Sequence, residues 1–545
     1  MTRSEIRHSP FAIRHSRRGR LAIAVAVVAL GLLAAGRWRG AAADTGKAVV
    51  ATPEAQVRLS LATPVKTVDE RFLSVAIDSS QIVGGHWWTA GGGATAGVGS
   101  AVVPPFDFTR PRLLRMAREL APAYLRLGGS EADKLFYDLS DSPGAAPPKF
   151  DYVLTRAMWD PIGRFALDAG YDLFFTLNAG PGPRGARKVW RPDNARDLIA
   201  YTTAHGYPVR IWELGNEINA YPIIFKRFFF VRAKRYAADM ATLRALVGEL
   251  DPHAAIAGPS SAFWPILGEM LMPILPNFLE ARIGRPDIVT WHYYPQESRR
   301  CPIAIRRAGL ETMLSAPRLD DAKHWSDHVL ALRDKYAPRS DVALGETGNA
   351  QCGGEPGVSD RFVAGLWWLD ELGLMARAGQ KFVVRQTLSG SEYGLIDDAT
   401  LAPNPDYWNS LLWKRLMGPR VLAVATEAGP HARRQAASPT PRVYAHCTPG
   451  RPGAAAALLL NIDPARALVF RFPDFAGQRA EVYRLTAPDL ASKTILLNGA
   501  ALATGDDGAP PALTPAAGDG TGSFPIAPAS YAFVVFPEAN AAACR

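Results

Sequence analysis

Apolar residues fall in short runs that end in polar or acidic residues, and this unit recurs along the middle of the chain. Residues 72–78 (FLSVAID), 123–130 (AYLRLGGS), 171–179 (YDLFFTLNA), 209–217 (VRIWELGNE), 254–260 (AAIAGPS), 287–294 (DIVTWHYY), 342–346 (VALGE) and 382–389 (FVVRQTLS) read as buried strands. Stretches with helical spacing, such as 112–121, 236–249 and 362–378, lie between them. Eight strands alternating with helices predict an α/β fold, a (β/α)8 TIM barrel. The alternative, an open doubly wound sheet, ranks lower because no glycine-rich phosphate fingerprint follows the first strand.

After Gly418 the pattern changes to short alternating runs at 442–446, 454–461, 468–472, 480–485 and 532–536, divided by Pro, Gly and Asp turns. These predict a C-terminal β-sandwich. Residues 56–61 (QVRLSL) alternate like a half-buried strand ahead of the barrel and are expected to complete that sandwich; residues 503–523, rich in Gly, Pro and Ala, read as a loop. The expected organisation is a leader at 1–43, an N-terminal strand segment at 44–70, the barrel at 71–418 and the sandwich at 419–545.

The formal charge of +10 suggests a polyanion partner until it is located: eight arginines against Glu5 before residue 44 supply +7, leaving +3 for the rest. A global basic field is thus not a property of the folded part, and nucleic acid is not an expected partner. The basic start, the 16-residue apolar run 21–36 and the alanines at 41–43 read as an export signal. The run is short of the about 20 residues that span a bilayer, so an uncleaved anchor is the lesser alternative and the folded part is not expected to enter a membrane. Ser16-Arg17-Arg18 also resembles a twin-arginine signal. The expected location is periplasmic or secreted. Cys301, Cys352, Cys447 and Cys544 suit an oxidising compartment; three pairings are possible, and no zinc-site spacing appears.

Two of the predicted strands, the fourth and the seventh, end in a glutamate: Glu217 after Asn216, and Glu346. Catalytic groups of barrel enzymes sit at the C-terminal ends of strands, and a retaining glycosidase needs two carboxyls roughly 5–5.5 Å apart. Glu217 is the expected acid/base, its pKa raised by the charge of Glu346 and by partial burial, with Glu346 as nucleophile and Asn216 on the sugar 2-hydroxyl. Glu213, on the same strand face as Glu217, is a rival carboxylate expected instead to be a buried partner of Arg126. Neither catalytic step calls for a metal or an organic cofactor.

WELGNE, AYLRLGG, TWHYY, LGET, WLDELGLMARAG, VVRQ and PDYWNSLLWKRLMG together, in this order, resemble the heparanase-like members of glycoside hydrolase family 79. The resemblance runs from about Phe72 to Cys544 and implies hydrolysis of a β-linked glucuronoside with retention, Glu217 as proton donor and Glu346 as nucleophile. It places Asp78, Ser130, Asn216, Tyr294, Gln386 and Tyr393 at positions that contact glucuronate or support the nucleophile. Gly353 and Gly354 would offer backbone N–H groups to the sugar carboxylate. Ser130 stands for a threonine, Cys352 for the first glycine of the family's run, and the choice of Tyr294 over Tyr293 depends on the alignment. Lys226 and Arg227 stand where the family carries a basic pair near its cleft and are the preferred sulfate ligands; Arg232, Lys234, Arg235, Arg299 and Arg300 are further candidates. The resemblance implies a Cys447–Cys544 disulfide, and Cys301–Cys352 is expected to bridge two loops at the barrel mouth, with free buried thiols as the alternative. The short segment between Asp138 and Phe150 implies a single uncut chain.

These readings converge on an endo-β-glucuronidase acting on heparan-sulfate-like chains as a monomer. Exo release of terminal glucuronate is the near alternative. A catalytically silent polysaccharide-binding protein is the alternative from another class, against which the two glutamates speak.

Overall fold

Eight parallel strands close into a barrel in the computed structural model, which describes residues 52–88, 101–225, 229–269, 272–302, 304–428 and 441–545. In chain order the strands are Leu73–Asp78, Ala123–Gly128, Tyr171–Leu177, Val209–Leu214, Ala255–Phe263, Ile288–Tyr293, Asp341–Thr347 and Val383–Arg385. The eighth pairs with the first, Val383 opposite Leu73, which closes the ring. All eight expected strands are present. Their ends differ where the backbone leaves the extended region. The fourth stops at Leu214, because Gly215 (φ 74°) and Glu217 (φ 49°) are left-handed and end the ladder before the acid is reached.

The period-two alternation of the strands sorts the barrel interior into layers. Tyr124, Phe174, Ile211, Ala257, Ile288, Ala343, Phe382 and Val384 form an apolar plug. Two residues further along the second and fourth strands, on the same inward face, Arg126 replaces Tyr124 and Glu213 replaces Ile211, both fully buried. The plug therefore supports a charged layer below the mouth. The outward residues, among them Leu125, Leu127, Trp212 and Leu214, pack into the apolar shell of helices such as Arg156–Ala169, Ala233–Leu250, Ala316–Tyr336 and Phe362–Ala378.

Glu54–Leu59 lies in a four-stranded sheet, antiparallel to Val424–Ala428 and parallel to Leu468–Arg471, with Ser523–Ile526 at the far edge. A second sheet contains Arg420–Leu422, Arg442–Cys447, Ala455–Asn461, Ser530–Phe536 and Glu481–Thr486. Val57, Phe470, Phe472, Leu459, Val534 and Phe536 share one apolar core between the two sheets. The Cys447–Cys544 disulfide is present beside that core, and Cys301–Cys352 is also formed. The 503–523 stretch contributes the two-residue strand Ala516–Ala517 and, at its end, the first residue of the strand Ser523–Ile526. The leader, the segment 89–100 and Lys226–Arg227 lie outside the described residues. No helix among the described residues is long and apolar enough to cross a membrane.

Candidate active site

Arg126 is the hub of the charged layer. Its Nη2 donates to Glu213 Oε2 at 2.9 Å and to Asn216 Oδ1 at 2.9 Å, and its Nη1 donates to Glu346 Oε2 at 2.8 Å. Burial alone would lower its pKa; the charges of Glu213 and Glu346 more than offset this and raise it. Glu213 also accepts from the hydroxyls of Thr176 and Thr290, at 2.8 and 2.7 Å. With 0 % exposure it is the structural carboxylate of the layer, not a group at the mouth.

Glu346, at the end of the seventh strand, has one donor for each oxygen: Arg126 Nη1 on Oε2 and the Tyr294 hydroxyl on Oε1, both at 2.8 Å. The pair fixes the plane of the carboxylate. Tyr293 points away, its hydroxyl 3.3 Å from Asp321, so the tyrosine beside Glu346 is Tyr294.

Glu217 is carried just beyond the fourth strand, its N–H bonded to the Ser260 carbonyl at 2.9 Å. Its side chain is 13 % exposed, and Oε1 lies 3.2 Å from His292 Nδ1. Its carboxyl is pushed up to about 7, with burial the main cause and Arg126 pulling the other way. Of the two expected causes, burial and the charge of Glu346, burial is the one that dominates. Donor atoms of Glu217, His292 and Glu346 all lie within 4.8 Å of one another. That spacing also suits a cation, although hydrolysis by two carboxyls draws on none.

His292 is the residue that the sequence reading missed. It is buried, and burial pushes its pKa down to about 4, so the ring is neutral. Its Nε2 lies 2.7 Å from Ser260 Oγ, which accepts from Arg126 Nη2 at 3.3 Å. The network assigns the serine proton to Nε2 and leaves Nδ1–H facing Glu217. The signal was available, because Thr290, His292 and Tyr294 alternate onto one face of the run TWHYY. His292→Ala is expected to forfeit a tenfold to hundredfold share of the about 10²- to 10⁴-fold that a positioned general acid supplies. The loss should be larger for substrates with poor leaving groups, and equal losses on good and poor leaving groups would contradict the positioning role.

Asn216 gives its side-chain oxygen to Arg126 and to the Gly129 N–H, leaving its amide N–H groups as donors; its own backbone N–H is held by Asp133 at 2.9 Å. Asp78 ends the first strand and caps the short helix Ser79–Val83. Gln386 Nε2 reaches its Oδ2 at 3.2 Å. Burial, then repulsion from Glu131, pushes the Asp78 carboxyl up to about 8. The paired glycines of AYLRLGG are explained by these side chains. A Cβ on Gly128 would come within 2.6 Å of the Arg126 guanidinium carbon, and one on Gly129 (φ 95°) within 2.1 Å of Asp78 Oδ2. Ser130 follows, half-buried, at the start of the turn Ser130–Lys134.

Cys352, Gly353 and Gly354 are consecutive left-handed residues with φ of 62°, 80° and 81°. Cys352, the one member that resists this conformation, is tied to Cys301. Gly353 and Gly354 are buried, and among the described residues their N–H groups have no hydrogen-bond partner. Tyr393 packs beside them between Trp87 and Tyr294, with its carbonyl held by Arg385 at 3.0 Å. Two of the expected sulfate ligands are engaged elsewhere: Arg300 is buried against Glu392 at 2.9 Å, and Arg299 bonds Glu355 through its N–H and Nε. Loop carboxylates absorb both charges. Arg235 lies 4.0 Å from Asp239, while Arg232 and Lys234 are exposed at the start of the helix Ala233–Leu250.

Comparison with known proteins places this site in a family. Residues 54–373 match the profile of "Glycosyl hydrolase family 79, N-terminal domain". The chain is 30% identical over 548 residues to a protein of Gallus gallus named heparanase, covering 90% of this chain and 96% of that one. It is 29% identical over 469 residues to the baicalin-beta-D-glucuronidase of Scutellaria baicalensis, covering 79% and 84%. Among solved structures, a 4-O-alpha-L-rhamnosyl-beta-D-glucuronidase from Fusarium oxysporum 12S shares the fold with a TM-score of 0.61 at 16% identity, covering 88% of this chain and 100% of that chain. Two mouth carboxylates on a closed barrel, together with a family profile that spans most of that barrel, lead to one conclusion: the chain belongs to glycosyl hydrolase family 79 and is a glycoside hydrolase.

Proposed function

We propose that this enzyme hydrolyses β-linked glucuronosides with retention, cutting within heparan-sulfate-like chains. The observation that carries the proposal is the pair at the mouth. Glu217 and Glu346 bring carboxylate oxygens within 4.8 Å, a spacing that suits direct attack better than the roughly 6.5–9.5 Å that leaves room for a water between them. In the first step Glu346 attacks the anomeric carbon as the glycosidic C–O bond breaks, and Glu217 gives its proton to the departing oxygen. In the second, Glu217 takes a proton from the water that hydrolyses the glycosyl ester. Asn216 would donate to the 2-hydroxyl, and Asp78, Ser130 and Gln386 would meet the other hydroxyls. The N–H groups of Gly353 and Gly354, without a hydrogen-bond partner among the described residues and beside Tyr393, suit the sugar carboxylate. The names of the relatives support glucuronoside chemistry.

The exo reading has an observation in its favour. Ile223, Ile266 and Leu267 are exposed, at 65%, 57% and 46%, on the loops after the fourth and fifth strands, where an apolar aglycone would be met. Lys226 and Arg227, which follow Ile223 closely in the sequence, would instead favour a sulfated one. Protein lacking residues 1–43, given heparan sulfate and separately an aryl β-glucuronide, decides between them. A rapid fall in chain length is expected. Free glucuronate with nearly unchanged polymer length would establish the exo reading, and no product from either substrate would support a silent binding protein.

The proton on Glu217 also sets the pH dependence. Its pKa is raised, so the acid form is complete well below about 7 and is lost as pH rises through that value. The rate kcat/KM is expected to fall on the alkaline side with a midpoint near that pH. In Glu217→Gln, with an activated aryl leaving group, that limb should vanish; its persistence would move the titration to another group.

A further inference from the structure

A cavity of about 430 Å³ opens at the end of the barrel opposite the carboxylates, lined by Arg244, Arg282, Arg285 and Arg339, with Asp287 as the one acid in its wall. It lies among the loops that enter the sixth strand at Ile288 and the seventh at Asp341. At about 3.3 Å per residue, the rise from Asp287 to His292 sets it roughly 16 Å below the catalytic pair along the strand. The acid is already engaged, with Oδ1 accepting from Arg244 Nη2 at 2.9 Å and Oδ2 from the Ile256 N–H at 2.9 Å. Among the described residues no ion pair involves Arg282, Arg285 or Arg339, and Arg285 Nε is buried without a hydrogen-bond partner. The loop that carries two of them is held in place. Gly284 has φ 57°, and a Cβ there would fall 2.1 Å from the Ala237 carbonyl on the helix Ala233–Leu250, so the loop lies directly on that helix.

Three uncompensated guanidinium groups around one concavity repel one another, and an anion between them relieves that repulsion while satisfying their forked donors. We propose that this cavity is a second anion site, which takes a sulfate- or carboxylate-bearing segment of an anionic glycan away from the catalytic cleft. The cavity is larger than one oxyanion needs, and its donors come from a helix and two separate loops, which suits an oligomeric anion better than a lone ion. The choice of a glycan rests on the substrate reading above; the anion site itself does not. Bound there, one stretch of a long chain would hold the polymer to the enzyme while another stretch enters the mouth.

The test is Arg282→Ser/Arg285→Ser/Arg339→Ser in the full chain, titrated with a fluorescent heparin decasaccharide at fixed ionic strength. The wild type should show a binding component that weakens at least about tenfold in the variant, with a shallower salt dependence. The KM and kcat for an aryl β-glucuronide, which reaches only the mouth, should not change. Arg339→Glu, at an exposed position, replaces the triple variant if thermal unfolding shows that the latter is not folded, and several-fold weakening is expected. Equal affinity in wild type and folded variant would overturn the site. Saturation by inorganic phosphate that the decasaccharide cannot displace, or tighter binding of single-stranded DNA of equal charge, would overturn the glycan assignment. An aryl glucuronide left intact by the wild type, alongside arginine-dependent decasaccharide binding, would sink the glucuronidase reading and leave the anion site standing.

Discussion

Glu346→Gln is expected to lower kcat on an aryl β-glucuronide by on the order of 10⁴-fold or more, while substrate affinity stays close to that of the wild type. The amide fills the same space between Arg126 and Tyr294, its oxygen accepting from Arg126 and its NH2 donating to the Tyr294 hydroxyl oxygen, so the loss reports chiefly the missing nucleophile. Truncation tests the roles separately. Glu346→Ala vacates the face opposite the leaving group, and added azide should attack there to give an α-glucuronosyl azide. Glu217→Ala leaves the nucleophile in place and removes the acid/base; with an activated leaving group, azide should intercept the glycosyl-enzyme and give the β-azide. Exchanged products would reverse the two roles, and an unaffected rate in Glu346→Gln would sink the mechanism.

The largest stability effect is expected at Arg126. Its side chain is 0 % exposed and joins Glu213, Glu346 and Asn216, so Arg126→Met strands two carboxylates around an apolar side chain. Removing one partner of such a buried network costs about 3–5 kcal/mol, because the remaining charge has no water to return to. Urea unfolding should show the loss as a lower midpoint. Adding Glu213→Gln should recover part of it, since a neutral amide accepts from one of the two threonine hydroxyls, Thr176 or Thr290, donates to the oxygen of the other, and no longer needs the cation. Equal stability of Arg126→Met and wild type would mean that the carboxylates are protonated in the folded state or reached by solvent. Activity should fall in either variant, because Arg126 is also one of the two donors that orient Glu346.

The barrel was legible because each strand is a short apolar run with its own ending, a local signal that survives without knowledge of the neighbours. The two glutamates were legible for the same reason, each standing at or just past the end of such a run. Glu213 was correctly separated from Glu217 by spacing along one strand face. His292 is not marked in the sequence, although it occupies the face shared by Thr290 and Tyr294, because a lone histidine inside an apolar strand carries no local sign of the carboxyls that barrel closure brings to it. Charge alone makes Arg299 and Arg300 sulfate candidates, behind Lys226 and Arg227. Sequence gives the sign of a charge and not the partner that consumes it, and Glu355 and Glu392 lie more than 50 residues away.

From the sequence alone came the order of strands and helices, the glutamates at two strand ends and the strand ahead of the barrel, all set by alternation and turn chemistry within a few residues. Only the tertiary structure decided which side chains share a space. Arg126, Glu213, Ser260, His292 and Glu346 come from five different strands, and their hydrogen bonds exist because barrel closure brings those strands together. It likewise decided that burial, more than a neighbouring charge, lifts the Glu217 carboxyl, since desolvation depends on everything that surrounds a group and on none of it singly.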